Sequence, residues 1–150
     1  VEVTGVGEAE SHLLASLSEG SPGKALAIRE EIRQIPREAL LKDWVGLKSL
    51  SFERIGSWVE SLPSQRDNLL LMLEVTKTLL RDLVMVKTLQ KEPKLIHSDL
   101  RHVMESIVTN WSLPSLLKRM EILHYTALAI RANANTSLAL EAMMLSWAEG

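Results

Sequence analysis

The chain has 150 residues, of which 46% are hydrophobic and 24% charged, the balance of an ordinary globular protein rather than a disordered one. Its net charge is −2, and residues 36–150 carry thirteen acidic and fourteen basic residues, so the strong basic excess of a nucleic-acid-binding protein is missing. The sequence has no cysteine, which excludes disulfides, thiol catalysis and zinc sites built on thiolates, and which fits a reducing cytoplasm.

Apolar residues recur at helical spacing throughout the sequence, and no strand-like alternation bounded by a glycine turn is present. The first predicted helix covers residues 8–18 and ends at Gly20. Ser21 is predicted to cap a second helix, with Pro22 as its first residue and its end before Pro36. The spacing therefore predicts an all-α protein that begins with two short helices.

Six further helices are predicted from Pro36 onward. Pro36 opens the first of them, and the other five are expected to be capped by a serine or threonine that precedes the apolar stripe, namely Ser51, Ser64, Ser98, Ser112 and Thr136. The helix after Ser64 should run to about residue 90, and it has apolar residues on more than one stripe, so we expect it to be covered on more than one side. The expected fold is a compact bundle of five to six helices, preceded by the two short helices.

Each of the last two predicted helices carries two apolar sets. The main set on the seventh helix includes Leu117, and on the last helix one side holds Leu138, Ala142 and Leu145. A helix of a small monomer has one apolar stripe, so the remaining sets predict a surface for another subunit. The alternative is that both sets are buried within the domain, with the long fifth helix covering one of them. The residues predicted to form the interface are Ile122, Tyr125, Ala129, Leu140, Met143, Met144 and Trp147.

Catalytic and metal-binding patterns do not stand out. His12, His97, His102 and His124 lack the spacing of metal ligands, and are interpreted as solvated or packing residues. The junction at residues 20–24 could receive a phosphate at a helix N-terminus, or could be a plain helix junction. The short segment between the last two helices, with two asparagines, predicts a tight corner. We expect no catalytic residue, no metal and no cofactor.

Three segments together carry a family resemblance: GSPGKALAI at 20–28, LLRDLVMVKTLQ at 79–90 and ANANTSLALEAMMLSW at 132–147. In order and spacing they resemble the C-terminal part of the delta-prime subunits of bacterial DNA polymerase III, in the clamp-loader branch of the AAA+ family. The resemblance implies a fragment of a longer protein, in which residues 1–35 end a helical lid domain and residues 36–150 form a collar domain. It also implies packing in a ring with gamma/tau and delta subunits, which supports loading of the sliding clamp on primed DNA.

The lid motif of the ATP-using family members is Gly-Ser-x-Arg, whose arginine reaches a nucleotide phosphate. Gly20 and Ser21 match this motif, but Gly23 stands in the arginine position. Lys24 follows one residue later, turned by about 100° around the helix, and cannot replace a forked guanidinium. The resemblance therefore implies a non-catalytic subunit whose present region makes no contact with ATP.

Other assignments stay open at this point. The chain could be the collar of a gamma/tau or delta subunit, or a free-standing helical adapter that binds a partner protein. A small helical enzyme is disfavoured, because no acid, base and nucleophile cluster in the sequence. We expect a cytoplasmic protein with no direct contact to nucleic acid and none to a membrane, since the longest apolar run covers five residues and a spanning helix needs about 20.

Overall fold

The computed structural model describes residues 5–46, 51–88, 91 and 93–149, with side chains of residues 5, 6 and 44–46 outside the description. The described residues form eight α-helices and one short 3-10 helix, and none of them lies in a strand, which confirms the all-α prediction. The helices are α1 (Gly5–Ser18), α2 (Pro22–Arg33), α3 (Arg37–Gly46), α4 (Phe52–Ser61), α5 (Arg66–Thr88), α6 (Arg101–Val108), α7 (Leu113–Arg131) and α8 (Thr136–Glu149).

The turn between α1 and α2 is built as the sequence predicts. Glu19 and Gly20 have φ angles of 52° and 80°, so the chain leaves α1 through left-handed backbone, which glycine adopts at low cost. The Ser21 hydroxyl then accepts a hydrogen bond of 3.3 Å from the backbone N–H of Lys24 and caps α2. This confirms the predicted stop at Gly20 and the predicted cap at Ser21.

Three of the other predicted caps are wrong. At the start of α5, Gln65 and not Ser64 accepts the first intrahelical bond, from Leu69 at 3.0 Å. At α8, the Asn135 side chain accepts from the backbone N–H of Leu138 at 3.0 Å, because asparagine is a better cap than the threonine that follows it. Ser98 begins the 3-10 helix Ser98–Leu100 ahead of α6. The caps predicted at Ser51 and Ser112 are confirmed by their bonds to the third residue of each helix.

The corner between α7 and α8 has a local explanation. Asn133 has a φ of 66°, and the backbone N–H groups of Asn133 and Ala134 return to the carbonyls of Ile130 and Ala129. This is the paired hydrogen-bond pattern that ends many helices with a left-handed residue, a role that asparagine fills without glycine. Arg66, at the start of α5, donates to the Asn133 side chain at 2.6 Å and fixes the corner against the central helix.

Helix α5 is the centre of the core. Its ten buried residues spread over roughly 220° of its circumference, which confirms that it is covered on more than one side. Helices α2, α3, α6 and α7 all pack against it. Leu13 of α1 and Ile32 of α2 belong to the same buried cluster as the α5 leucines. The predicted division into domains 1–35 and 36–150 falls between α2 and α3, and it stays a prediction.

A buried polar cluster joins α5 to the segment before α6. Asp82 is fully buried in α5, and its carboxylate accepts from the backbone N–H groups of Ile96 at 3.1 Å and His97 at 2.7 Å. Arg81 donates to the same carboxylate at 2.8 Å. Burial raises the pKa of Asp82, while these hydrogen bonds act in the opposite direction. The carboxylate therefore supplies a partner to the buried N–H of His97, which would otherwise have none, and to the partly buried N–H of Ile96.

His97 extends this cluster to α3, and its hydrogen bonds fix its tautomer. Arg37 lies 2.8 Å from Nδ1, and because a guanidinium only donates, Nδ1 must accept. Nε2 then carries the proton and donates to the Thr78 hydroxyl at 2.8 Å, which donates in turn to the Val75 carbonyl at 2.6 Å. Arg37 also holds Asp99 through two bonds of 3.1 and 2.7 Å. Burial, and then the positive charge of Arg37, lower the pKa of His97 to about 3.

The lowered pKa of His97 predicts that the protein loses stability in mild acid. Above pH 6.5 the imidazole is neutral in both states, but between pH 6.5 and about 3 only the unfolded state takes up the proton. Each pH unit in that window lowers the free energy of unfolding by about 1.4 kcal/mol, and the loss between pH 7 and 5 is about 2 kcal/mol. Urea denaturation followed by circular dichroism at pH 5, 6 and 7 measures this slope.

The matched control for this measurement is His97→Asn, whose side-chain oxygen can still accept from Arg37. The variant keeps Asp82, whose raised pKa acts with the opposite sign, and it keeps the exposed histidines, so only the His97 contribution differs. We expect a lower but flatter stability profile in the variant. Parallel profiles of the two proteins would contradict a buried neutral His97.

Candidate interaction surface

The residues of the predicted lid motif lie at the turn between α1 and α2. Gly23 is inside the first turn of α2, and no heavy atom lies within 4 Å of the position that a Cβ would occupy. Gly23 is exposed and a Cβ would meet no neighbour there, so close packing does not require a glycine at this position. Lys24 faces a cleft formed with α5 and α7. The guanidinium that would reach a nucleotide phosphate in the resembling motif is thus missing at Gly23.

We predict that the chain does not bind ATP with magnesium at low micromolar affinity. The basis is the loss of the motif arginine at Gly23, together with the lack of a glycine-rich phosphate loop followed by lysine and serine or threonine in the sequence. Isothermal titration calorimetry with ATP and magnesium measures this directly. Saturable binding in the low micromolar range would contradict the prediction.

The structure corrects the predicted interface on α8. The expectation that the second set on this helix is exposed is wrong at all four positions, because the chain itself covers them. Helices α7 and α4 pack against α8, so α4 provides the cover that the alternative interpretation assigned to the long fifth helix. The four residues have at most 2% of their surface exposed: Leu140, Met143, Met144 and Trp147.

The opposite side of α8 is the more exposed one. Leu138 has 65% of its surface exposed and Ala142 is also exposed, while Leu145 is partly buried. The helical spacing thus identified two apolar sets correctly, but the outer set is the one that was not predicted to form the interface. On α7, Leu117 belongs to the main predicted set and is 49% exposed.

A buried arginine, missed in the sequence, fixes the end of α8 against α7. Arg119 lies on α7 with 2% exposure, and it donates to the backbone carbonyl of Trp147 at 2.7 Å and to the Ser115 hydroxyl. Its guanidinium stacks on the ring of Trp111, 4.0 Å from the centroid. A cation at the C-terminal carbonyls of a helix is favourable, which explains a charge at this position. Burial lowers the pKa of Arg119.

The three predicted interface residues on α7 come together at the surface. Ile122, Tyr125 and Ala129 line a groove of about 650 Å³ between α7 and α8, with Tyr125 61% exposed and the other two partly buried. Small residues of α8, Ala139 and Ala142, form the other wall. We call this the α7–α8 groove. Its remaining lining includes Pro114, Leu117, Met143 and two charged residues, Lys118 and Glu121.

Exposed apolar side chains concentrate on α7 and α8, and two of them, Leu117 and Tyr125, line the α7–α8 groove. The described residues contain six large apolar side chains that are exposed, and four of them belong to these two helices. These four are Leu117, Tyr125, Leu128 and Leu138. The signal for Leu128 was available in the sequence, since it lies three residues after Tyr125 on the same side of α7.

No protein-family model, curated protein or solved structure matches this chain. The family resemblance therefore depends on the three segments of the sequence. Across the described ranges, every helix is too short or too polar to pass through a lipid bilayer.

Because Met144 is buried and Tyr125 is exposed, we expect opposite outcomes when each is replaced by aspartate. Met144→Asp places an unpaired charge in the core, which costs several kcal/mol, and we expect the chain to unfold. Tyr125→Asp changes an exposed position, and we expect a change in stability within about 1 kcal/mol. Thermal unfolding by circular dichroism compares the two. A stably folded Met144→Asp variant would contradict the packing of α8 described above.

Proposed function

We propose that this chain is the non-catalytic assembly region of a delta-prime-type subunit in a bacterial DNA polymerase III clamp loader. In this proposal α7 and α8 pack against a neighbouring subunit of the collar ring, and the assembled loader places the sliding clamp on primed DNA. The observation that carries the proposal is the concentration of exposed apolar side chains on α7 and α8, two of which, Leu117 and Tyr125, line the groove between these helices. The family resemblance of the three sequence segments supplies the identity of the partners.

The chemistry of the α7–α8 groove supports protein contact. Monomers rarely expose large contiguous apolar patches, and interface cores are enriched in tyrosine and methionine and depleted in charge. Tyr125 offers a large, rigid contact area, and its ring meets His124 edge-on with centroids 5.5 Å apart. Ala129, Ala139 and Ala142 leave room for the backbone of another helix to approach closely.

The groove is also supported from beneath. Helix α7 buries its other side against α5 through Leu116, Leu123 and Ile130, and Arg119 fixes the end of α8. Two helices held in this way present a preformed surface, so a partner pays little ordering entropy when it binds.

The proposed partners are the gamma/tau and delta subunits, in the cytoplasm. The lost arginine at Gly23 favours a delta-prime-type subunit over a gamma/tau subunit, because it removes the contact that an ATP-using subunit makes. In this proposal the chain itself performs no catalytic step and contacts no DNA.

The test of the proposal is whether Tyr125→Asp prevents assembly with gamma/tau and delta subunits. We expect the wild-type chain to co-elute with them in size-exclusion chromatography, and the variant to bind at least about tenfold more weakly, as for a central interface tyrosine. Leu26→Asp is the matched control, because Leu26 is 72% exposed on α2, away from the groove. We expect this control to assemble like the wild type.

Two results would overturn the proposal. In the first, the folded wild-type chain does not associate with either subunit. In the second, Tyr125→Asp and Leu26→Asp assemble equally well, which would place the contact elsewhere.

A further inference from the structure

A second concave site lies on the other side of α7, where α1 and α2 meet α5 and α7. It is a cleft of about 630 Å³, and all of its lining residues belong to the described part of the chain. We infer that this cleft binds an acidic segment of a partner protein that also carries apolar side chains. This inference goes beyond the proposed collar contact, because it uses a different surface.

The charge of the cleft is opposite to that of the chain. Four basic residues line it, Lys24, Lys77, Arg81 and Arg131, against the two acidic residues Glu19 and Glu74. The lining is therefore positive by two charges, whereas the whole chain is negative by two. Asp82 lies beneath Arg81, and even when it is counted the cleft remains positive. A concave surface with one excess sign concentrates ligands of the other sign.

Two of the four bases are available for a ligand. Arg131 donates to Glu74 at 3.0 Å and Arg81 donates to Asp82 at 2.8 Å, so both guanidinium groups are held in place within the cleft. Lys24 and Lys77 make no ion pair in the described ranges. They are the groups that an acidic ligand would neutralise.

The spread of the bases favours an extended ligand over a single phosphate. Lys77 and Arg81 are one turn apart on α5, and Lys24 and Arg131 come from two other helices. From Glu74 to Arg81 the cleft follows α5 for about 10 Å. A single phosphate is held by donors that converge on one point, whereas a series of carboxylates along a peptide matches bases that are distributed.

The floor of the cleft is apolar. Leu17, Ile28, Leu71 and Met120 line it between the charged groups, and all four are partly buried. They offer contact to leucine-like side chains of a bound segment, which a purely ionic ligand such as oligophosphate would leave unused. Because these residues belong to α1, α2, α5 and α7, an occupant would bridge the predicted lid and collar segments.

The experiment measures binding of a fluorescein-labelled peptide of Glu-Glu-Leu repeats by fluorescence anisotropy. The protein is the whole chain, compared with the double variant Lys24→Glu/Lys77→Glu. The matched control is Lys91→Glu/Lys94→Glu, which makes the same charge change at two exposed lysines outside the cleft. Circular dichroism confirms that all three proteins are folded. Inorganic tripolyphosphate and single-stranded DNA are competitors.

We expect the wild type to bind the peptide with an affinity that falls as salt is added, and the cleft variant to bind at least about tenfold more weakly. The control should stay within about threefold of wild type. Absence of peptide binding, or equal losses in both variants, would overturn the inference. The inference would also be overturned if tripolyphosphate or DNA displaced the labelled peptide at a lower concentration than the unlabelled peptide does. Tyr125→Asp should leave peptide binding unchanged, because Tyr125 lies outside the cleft. The peptide experiment can therefore fail or succeed independently of the proposed collar contact.

Discussion

The carboxylate of Asp82 is the interaction on which the arrangement of the helices depends. It is fully buried in the C-terminal third of the central helix α5, where an unpaired charge would cost several kcal/mol. Its two oxygens accept from successive backbone N–H groups at Ile96 and His97, so the segment that returns from α5 can take only one position. The direction of α6, and with it the cover over one side of α5, follows from this position.

His97 and Arg37 carry the same constraint to α3. Because Arg37 donates both to His97 and to Asp99, the start of α3 is held against the segment before α6. Both bonds join residues at least 60 positions apart in the chain. The polar cluster therefore joins helices that are far apart in the chain, where apolar contacts alone would allow the helices to slide.

Several local features of the fold could be predicted from the sequence, although the caps expected at Ser64, Ser98 and Thr136 lie elsewhere, and the buried polar cluster could not be predicted. Gly20, Ser21 and Ser112 determine their own surroundings, since a left-handed turn or a cap involves residues within four positions. Asp82 shows no such pattern, because an aspartate in a helix usually faces solvent. Its burial depends on a backbone segment fourteen residues away. The resemblance to clamp-loader subunits added expected partners but no information on this cluster.

The error on α8 has the same origin. Helical spacing gives two apolar sets on this helix, separated by angle, but contains no information on which neighbour covers which set. In the structure α4 packs against α8, where Leu140, Met143, Met144 and Trp147 are buried, and Leu138 remains exposed to solvent. The sequence thus predicted which α7 residues line the candidate groove, namely Ile122, Tyr125 and Ala129. On α8 the sequence pointed to large residues, whereas the groove wall consists mainly of the small residues Ala139 and Ala142.

Helix α7 connects the two candidate binding sites. Tyr125 and Ile122 face the α7–α8 groove, whereas Met120 and Arg131 face the basic cleft, roughly 120–180° around the same helix. The third side of α7 is buried against α5, so neither site can move without disturbing the core. Occupants of the two sites therefore meet opposite sides of one rigid helix and do not compete for space. If a single partner occupied both the groove and the cleft, its second contact would form at the high effective concentration of a tethered segment. The two contacts together would then bind more strongly than either contact alone.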